Sequence, residues 1–157
     1  LHYTDGRFAS VTALEPDRRS FRKLNEWASA NIEGDVTLVQ AGAWDRDEMR
    51  CFSDQAGRQS HVANKGRETQ MRALDSVLNG RPCTYLKMDV EGAEREAIAG
   101  ARQTIERDRP KLNIAAYHRS EDFFELPLLI HSLCADYALY LRHHPYVPAW
   151  DTNLYAR

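Results

Sequence analysis

The chain has 157 residues, 43% of them hydrophobic and 28% charged, with a formal net charge of −2. This length suits one domain with a hydrophobic core and is too short for two. The near-neutral charge gives no argument for binding nucleic acid or an anionic membrane, and no long apolar run or basic leader indicates a membrane span or signal peptide.

Strand and helix patterns alternate in the first forty residues. The segment "VTALE" (11–15) predicts a strand, and "VTLVQ" (36–40) predicts a second one. Between them a helix is expected from Asp17, with these apolar residues on one side: Phe21, Leu24, Ala28 and Ile32. This order is a βαβ unit.

The sequence of the middle of the chain predicts additional β-strands at the edge of the domain. "MRCFS" (49–53) and "SHVA" (60–63) flank a turn-like segment. "LDSVLNGRP" then predicts a short helix that stops at Gly80 and Pro82.

A second βαβ unit follows, from "TYLKMDV" (84–90) through a helix carrying Ile98, Ala101 and Ile105 to "LNIAAYH" (112–118). A helix around "DFFELPLLIHSLCA" precedes two last strands, "YALYLRH" and "TNLYAR", which predict an antiparallel closing pair. The fold class is therefore α/β, with three layers and a mostly parallel sheet. Ligands of such sheets bind beyond the carboxyl ends of the strands.

The first two strands end in residues suited to a nucleotide. Glu15 has a carboxylate that can accept hydrogen bonds from both ribose hydroxyls. Residues such as Glu15 and Asp17 more often simply cap the next helix. The small residues Gly42 and Ala43 let a planar base approach the backbone, while Trp44 either stacks on that base or covers the core.

The stretch "YLKMDVEGAEREAI" (85–98) carries acids where its strand ends. Lys87, Asp89 and Glu91 alternate, so they project to one face if the strand persists. Helix capping and one ion pair account for Glu91 and Lys87 but not for Asp89. Asp89 therefore indicates a site.

Histidines supply the candidate bases. His118 ends a predicted strand and has an unperturbed pKa near neutrality, which suits a general base, although a lone histidine is more often structural. His143 and His144 have weaker support. No HExxH or His/Cys spacing indicates a metal site. The odd, widely spaced cysteines (Cys51, Cys83 and Cys134) predict no disulfide framework and a reducing, cytoplasmic compartment.

Taken in order, "EPD", "TYLKMDVEGAEREAIAGA", "YHRSEDFFELP" and "YLRHH…DTNLYA" resemble the FkbM-type family of S-adenosylmethionine-dependent methyltransferases from Val11 onward. The resemblance implies a Rossmann-like methyltransferase fold in which Glu15 holds the ribose of S-adenosylmethionine and residues 42–44 line its adenine. It also implies that Asp89 and Glu91 lie beside the methionine part and the acceptor, a hydroxyl on a small molecule or sugar unit. His118 is the first candidate base and Asp89 the second.

One part of the family pattern is missing. A glycine-rich loop after the first strand should precede Val11, yet "LHYTDGRFAS" contains one glycine and no GxG occurs in the chain. We therefore expect a single domain that is incomplete at its N-terminus. In the strand order 3-2-1-4-5-7-6 that the resemblance implies, it lacks strand 1, which is central. Its absence leaves two sheet halves. The alternatives are a degenerate, non-catalytic binding domain and, with less support from the "DVEG" block, an NAD-dependent oxidoreductase.

Overall fold

The structure is a computed structural model that describes residues 8–52, 67–143 and 152–157. Its strands are β1 (Ser10–Leu14), β2 (Asp35–Val39), β3 (Gly42–Ala43), β4 (Glu48–Phe52), β5 (Arg67–Arg72), β6 (Tyr85–Met88), β7 (Lys111–Ala115), β8 (Leu139–His143) and β9 (Thr152–Ala156). Its helices are α1 (Arg18–Asn31), α2 (Leu74–Leu78), α3 (Glu94–Ala99), α4 (Arg102–Asp108) and α5 (Asp122–Leu133). The predicted strand "SHVA" and His144 lie outside the described residues.

Three sheets form within these ranges. Strands β1 and β2 pair in parallel, as expected for the first βαβ unit. Strands β6 and β7 pair in parallel, and β9 and β8 extend their sheet through antiparallel pairs in the order β6-β7-β9-β8. The middle of the chain forms its own sheet, in which β5 lies between β3 and β4. The expected antiparallel closing pair is confirmed.

The first backbone N–H groups of helix α1 have no acceptor within the helix, and a side chain supplies one. Asp17 Oδ1 accepts hydrogen bonds from the backbone N–H groups of Arg19 and Ser20, at 3.1 and 2.8 Å. This is the N-cap arrangement, which stabilises a helix by about 1 kcal/mol. Ala28, on the predicted apolar face, is buried.

The main core lies between the four-stranded sheet and helices α3, α4 and α5. Alternating residues of β6 and β7 face these helices, because successive side chains of a strand point to opposite faces. The fully buried members of this cluster include Ile98, Ile105, Leu112, Ile114, Leu126 and Ile130.

The helix predicted through Ile98, Ala101 and Ile105 is two helices, with the break at Gly100. All three apolar residues are buried as expected. At Gly100, however, an added Cβ would lie 1.9 Å from the carbonyl oxygen of Trp44. The close approach of that distant backbone, which periodicity does not reveal, requires a glycine here.

The parallel pairing of β6 and β7 positions the candidate site. In parallel neighbours the carboxyl ends lie at the same edge of the sheet, and Met88 is in register with Ile114. Residues that follow these two strands, Asp89 to Glu94 and Ala116 to His118, are therefore brought together.

Candidate active site

The turn after β6 differs from the expected continuation of the strand. The strand ends at Met88, and Glu91 and Gly92 both have left-handed backbone angles, with φ of 55° and 92°. A non-glycine residue in this region carries a backbone cost of order 1–3 kcal/mol and is concentrated at functional sites. This turn, rather than the alternation of a strand, brings Glu91 to the same histidine as Asp89.

Asp89 is accessible and contacts Tyr117, which follows β7, and Lys87, which lies on β6. The hydroxyl of Tyr117 donates to Asp89 Oδ1 at 3.1 Å, and Lys87 Nζ lies 3.7 Å from Asp89 Oδ2. The Asp89 side chain keeps 39% of its surface exposed. It is thus held on one side and open to a ligand on the other.

His118 is held by a buried acid. Its Nδ1 lies 2.8 Å from Glu94 Oε1, and the same oxygen accepts the backbone N–H of Val90 at 3.1 Å. Because this oxygen acts as an acceptor, Nδ1 carries the proton of the bond. The other ring nitrogen, Nε2, then faces the carboxylates of Asp89 and Glu91, at 3.6 and 3.4 Å.

Opposing effects act on the pKa of His118. Burial lowers its pKa, but the hydrogen bond to Glu94 and the charges of Glu94, Glu91 and Asp89 together raise the pKa above the ordinary value of 6.5. Nearby carboxylates favour the protonated ring. The ring is therefore a stronger base than a solvated histidine.

Glu94 is the residue that sequence reasoning missed. It belongs to the quoted "DVEGAE" block, but it lies in the first turn of α3, where acids are common because they favour the helix dipole. In the structure only 1% of Glu94 is exposed. Its contact with His118 depends on the packing of two segments far apart in the chain, which no local pattern reveals.

Asp122, at the start of α5, is a second buried acid near this group. Burial, with a smaller contribution from the charge of Glu94, raises the pKa of Asp122. Its Oδ2 accepts the backbone N–H of Arg119 at 3.1 Å. Asp122 thus fixes the turn that follows His118.

Glu15 lies at the end of β1, away from this cluster. Asp17 alone caps α1, whereas Glu15 Oε1 accepts the backbone N–H of Asp17 at 2.8 Å. Burial raises the pKa of Glu15 above 4.5. The capping interpretation is therefore right for Asp17, whereas Glu15 supports the backbone of the N-cap residue.

The segment of residues 42–44 is tightly packed. An added Cβ at Gly42 would lie 2.7 Å from the sulfur of Met71, so the end of the Met71 side chain would have to shift to admit a larger residue. Trp44 is buried, and the guanidinium carbon of Arg50 lies 4.3 Å from its ring centroid. Burial favours Trp44 as a cover of the core. Lining of adenine by these residues stays a prediction.

The remaining candidate is separate from the cluster. His143, on β8, is exposed and has its Nδ1 3.0 Å from Thr152 Oγ1. Among the described helices none combines the length and apolarity that a bilayer span requires.

Comparisons with known proteins agree on one family. The sequence profile described as "Methyltransferase FkbM domain" matches residues 2–148. The crystal structure of Methyltransferase FkbM from Methylobacillus flagellatus KT is similar, with a TM-score of 0.80 and 32% sequence identity. That similarity covers 99% of this chain but 38% of the other, so the chain spans well under half of that protein's length. None of the curated proteins matches the chain.

Proposed function

Because this chain belongs to the FkbM methyltransferase family, we propose that it transfers the methyl group of S-adenosylmethionine to a hydroxyl oxygen of a small molecule or sugar unit. The observation that carries this proposal is the group of His118 with the carboxylates of Asp89, Glu91 and Glu94, the His118 cluster. A histidine held at Nδ1 by a buried carboxylate presents Nε2, near two further carboxylates, at the strand edge where α/β sheets bind ligands.

The strand pairings support a Rossmann-like arrangement. The orders β2-β1 and β6-β7-β9-β8 correspond to strands 3-2 and 4-5-7-6 of the methyltransferase sheet. In this assignment Glu15 ends the strand that carries the ribose-binding acid. The four-stranded sheet then carries the acceptor side of the site.

The residues at the end of β1 fit the cofactor's ribose. Glu15 is partly buried, and the hydrogen bond from Asp17 engages its Oε1. A carboxylate offers about four lone-pair positions in all, so the group retains acceptor capacity for two hydroxyls. S-adenosylmethionine would supply an electrophilic methyl group when bound. Glu15 and residues 42–44 would hold its ribose and adenine, and Asp89 and Glu91 would lie near its methionine part.

His118 is the base in this mechanism. Its Nε2 takes the proton of the acceptor hydroxyl as the oxygen becomes the nucleophile, while Glu94 keeps the ring orientation and stabilises the imidazolium. The carboxylate of Asp89, whose Oδ1 lies 3.6 Å from Nε2, stabilises the protonated ring by its negative charge. If His118 does not act as the base, Asp89 is the next candidate.

Calorimetric titration with S-adenosylmethionine and with NAD tests the cofactor. We expect heat of binding from S-adenosylmethionine alone. Binding of NAD without S-adenosylmethionine would support the oxidoreductase alternative, and binding of neither would support the non-catalytic domain. Mass spectrometry of hydroxylated small molecules and sugars, incubated with the protein and S-adenosylmethionine, then identifies a methylated product.

The partner and the compartment belong to the same proposal. The acceptor is a small molecule or carbohydrate rather than a nucleic acid or a membrane. A cytoplasmic location agrees with Cys51, Cys83 and Cys134, none of which forms a disulfide within the described residues.

A further inference from the structure

We propose that a cavity beside helix α1 is a binding site for the phosphate group of a small organic molecule. The cavity has a volume of about 470 Å³, which lies within the range of ligand-binding clefts. Its lining residues are Arg18, Arg19, Phe21, Arg22, Asn25 and Gln40. The cavity shares no residue with the His118 cluster, and its binding of phosphate does not rest on the proposed function.

The helical repeat brings the side chains of α1 to one cavity. Residues three or four positions apart are neighbours on a helix surface. Arg18, Phe21, Arg22 and Asn25 follow this spacing, and Arg19 is three positions before Arg22. Three guanidinium groups therefore line a single space together with an amide and an aromatic ring.

The cavity lies at the edge of the sheet where parallel strands end. Helix α1 follows β1, and Gln40 follows β2, which pairs in parallel with β1. The backbone N–H of Glu15 donates to the carbonyl oxygen of Val39, so the two strand ends are adjacent. Because open α/β sheets bind ligands beyond the carboxyl ends of their strands, this edge is a suitable place for a ligand.

Two of the three arginines have no acid as an ion-pair partner. Arg22 lies 3.7 Å from Glu26, in a pair whose side chains are 71% and 68% exposed. Within the described ranges, Arg18 and Arg19 form no ion pair. Asp17 is close in the chain, but its Oδ1 already accepts two backbone N–H groups of α1. The cavity wall therefore carries positive charge that an anion can neutralise.

The chemistry of the lining residues favours phosphate. Each guanidinium presents a planar fork of N–H donors that binds two phosphate oxygens at once, and the amides of Asn25 and Gln40 add further donors. Phe21 is partly buried and offers an apolar surface to the carbon skeleton of a ligand. An organic phosphate fits both kinds of surface. Its source is either a phosphorylated acceptor or a separate effector.

Calorimetric titration at low ionic strength with inorganic phosphate and with glucose 1-phosphate tests the site without the cofactor. We expect both compounds to bind, and glucose 1-phosphate to bind more tightly because it also contacts Phe21. Arg18→Gln and Arg19→Gln should each weaken binding by about tenfold or more, since each removes hydrogen bonds to a charged group. Glutamine forms helix about as well as arginine, so α1 and the circular dichroism spectrum should be unchanged.

The matched control is Lys23→Gln. Lys23 lies on α1 and carries the same charge, but it does not line the cavity. This variant should bind glucose 1-phosphate as the wild type does. Equal affinity in the wild type and both arginine variants overturns the site, and so does an equal loss of affinity in Lys23→Gln, which would indicate attraction by general surface charge.

A short DNA duplex tests a different class of partner. Binding of the duplex without binding of glucose 1-phosphate would assign the arginines to a nucleic-acid surface and overturn the site. We expect the reverse.

The methyl-transfer reaction distinguishes the two sources of the phosphate. Inorganic phosphate competes with the acceptor if the acceptor carries the phosphate group, and it changes turnover without competition if the cavity holds an effector. This part of the experiment rests on the proposed function. If the protein transfers no methyl group at all, the proposed function fails while the calorimetric titration still decides the phosphate site.

Discussion

Two acids of the His118 cluster differ in their contact with water, and this difference separates their roles. Glu94 is 1% exposed, and its Oε1 accepts hydrogen bonds from the Val90 N–H and from His118 Nδ1. A buried carboxylate is costly unless it is bonded in this way. Asp89, which is 39% exposed, remains available to a bound molecule. Its burial suits Glu94 to positioning His118, and its exposure suits Asp89 to contact with a ligand.

Asp89→Asn is expected to lower methyl transfer at least about tenfold while changing the free energy of unfolding by less than about 0.5 kcal/mol. The amide oxygen still accepts the hydroxyl of Tyr117, so the fold loses little, but the negative charge beside His118 is gone. Turnover and chemical denaturation measure the two effects. Asp136→Asn, an exposed acid that pairs with Arg109, is the control and should leave turnover unchanged. A large loss of stability in Asp89→Asn would instead indicate a structural role.

The affinity for S-adenosylmethionine should fall as the solution is acidified. Burial raises the pKa of Glu15 above 4.5, and only the ionised carboxylate accepts two hydroxyls. The ionised form predominates above the raised pKa, so affinity is lost as pH falls through that value. Calorimetric titrations across the acidic range measure this loss.

Glu15→Gln should weaken binding at neutral pH about tenfold or more, because a hydrogen bond to a charged group contributes about 1.5–3 kcal/mol. It should also remove the acid-dependent step. The control is Asp17→Asn, because asparagine is a good N-cap and preserves α1. An unchanged acid-dependent step in Glu15→Gln would assign it to another residue.

At the scale of elements, the sequence predicts which face of a helix is buried better than it predicts where a helix or strand ends. The buried side of the helical region at 94–108 follows from its apolar spacing, since Ile98 and Ile105 are fully buried. The end of β6 at Met88 and the interruption at Gly100 were not predicted. The interruption at Gly100 depends on the distant backbone of Trp44, whereas β6 ends at the turn in which Glu91 and Gly92 have positive φ.

Gly100→Ala should destabilise the protein by about 1–3 kcal/mol or more, as overpacking of a filled site does. The added methyl would meet the carbonyl oxygen of Trp44 at 1.9 Å and the Cα of Ala73 at 3.2 Å. Thermal or urea unfolding measures the loss.

The substitution Gly80→Ala is the control, because it introduces backbone strain without a steric clash. Gly80 has a φ of 82° and no atom within 4 Å of an added Cβ, so only the conformational cost of about 1–2 kcal/mol applies. A smaller loss in Gly100→Ala than in Gly80→Ala would contradict the packing argument.

For the whole molecule, the sequence predicted the parallel units and the closing antiparallel pair but not the contact of Arg81 with the first sheet. The parallel units and the closing antiparallel pair follow from strand patterns and short connections. The guanidinium of Arg81, however, donates to Thr37 Oγ1 and Thr12 Oγ1, both at 3.3 Å. Arg81 lies in the loop after α2. Because charged residues in loops are usually solvated, the sequence does not predict its hydrogen bonds to the two threonines.

Arg81→Met should increase amide hydrogen exchange in β1 and β2 more than in β6 and β7. The substitution keeps an apolar stem but removes both hydrogen bonds, each of which contributes about 0.5–1.5 kcal/mol. Exchange followed by mass spectrometry measures this effect, and Arg109→Met, at an exposed ion pair, is the control. Equal acceleration in both sheets would show that Arg81 supports the whole fold instead.

The proposed tasks are divided between separate sheets. Glu15 follows β1 of the two-stranded sheet, whereas the acids and His118 follow β6 and β7 of the four-stranded one. Changes in the loops of one sheet leave the backbone that carries the other set of residues intact. Contacts to the acceptor can thus change without rebuilding the residues that hold the ribose of the methyl donor, and a designer can seek new specificity by the same route.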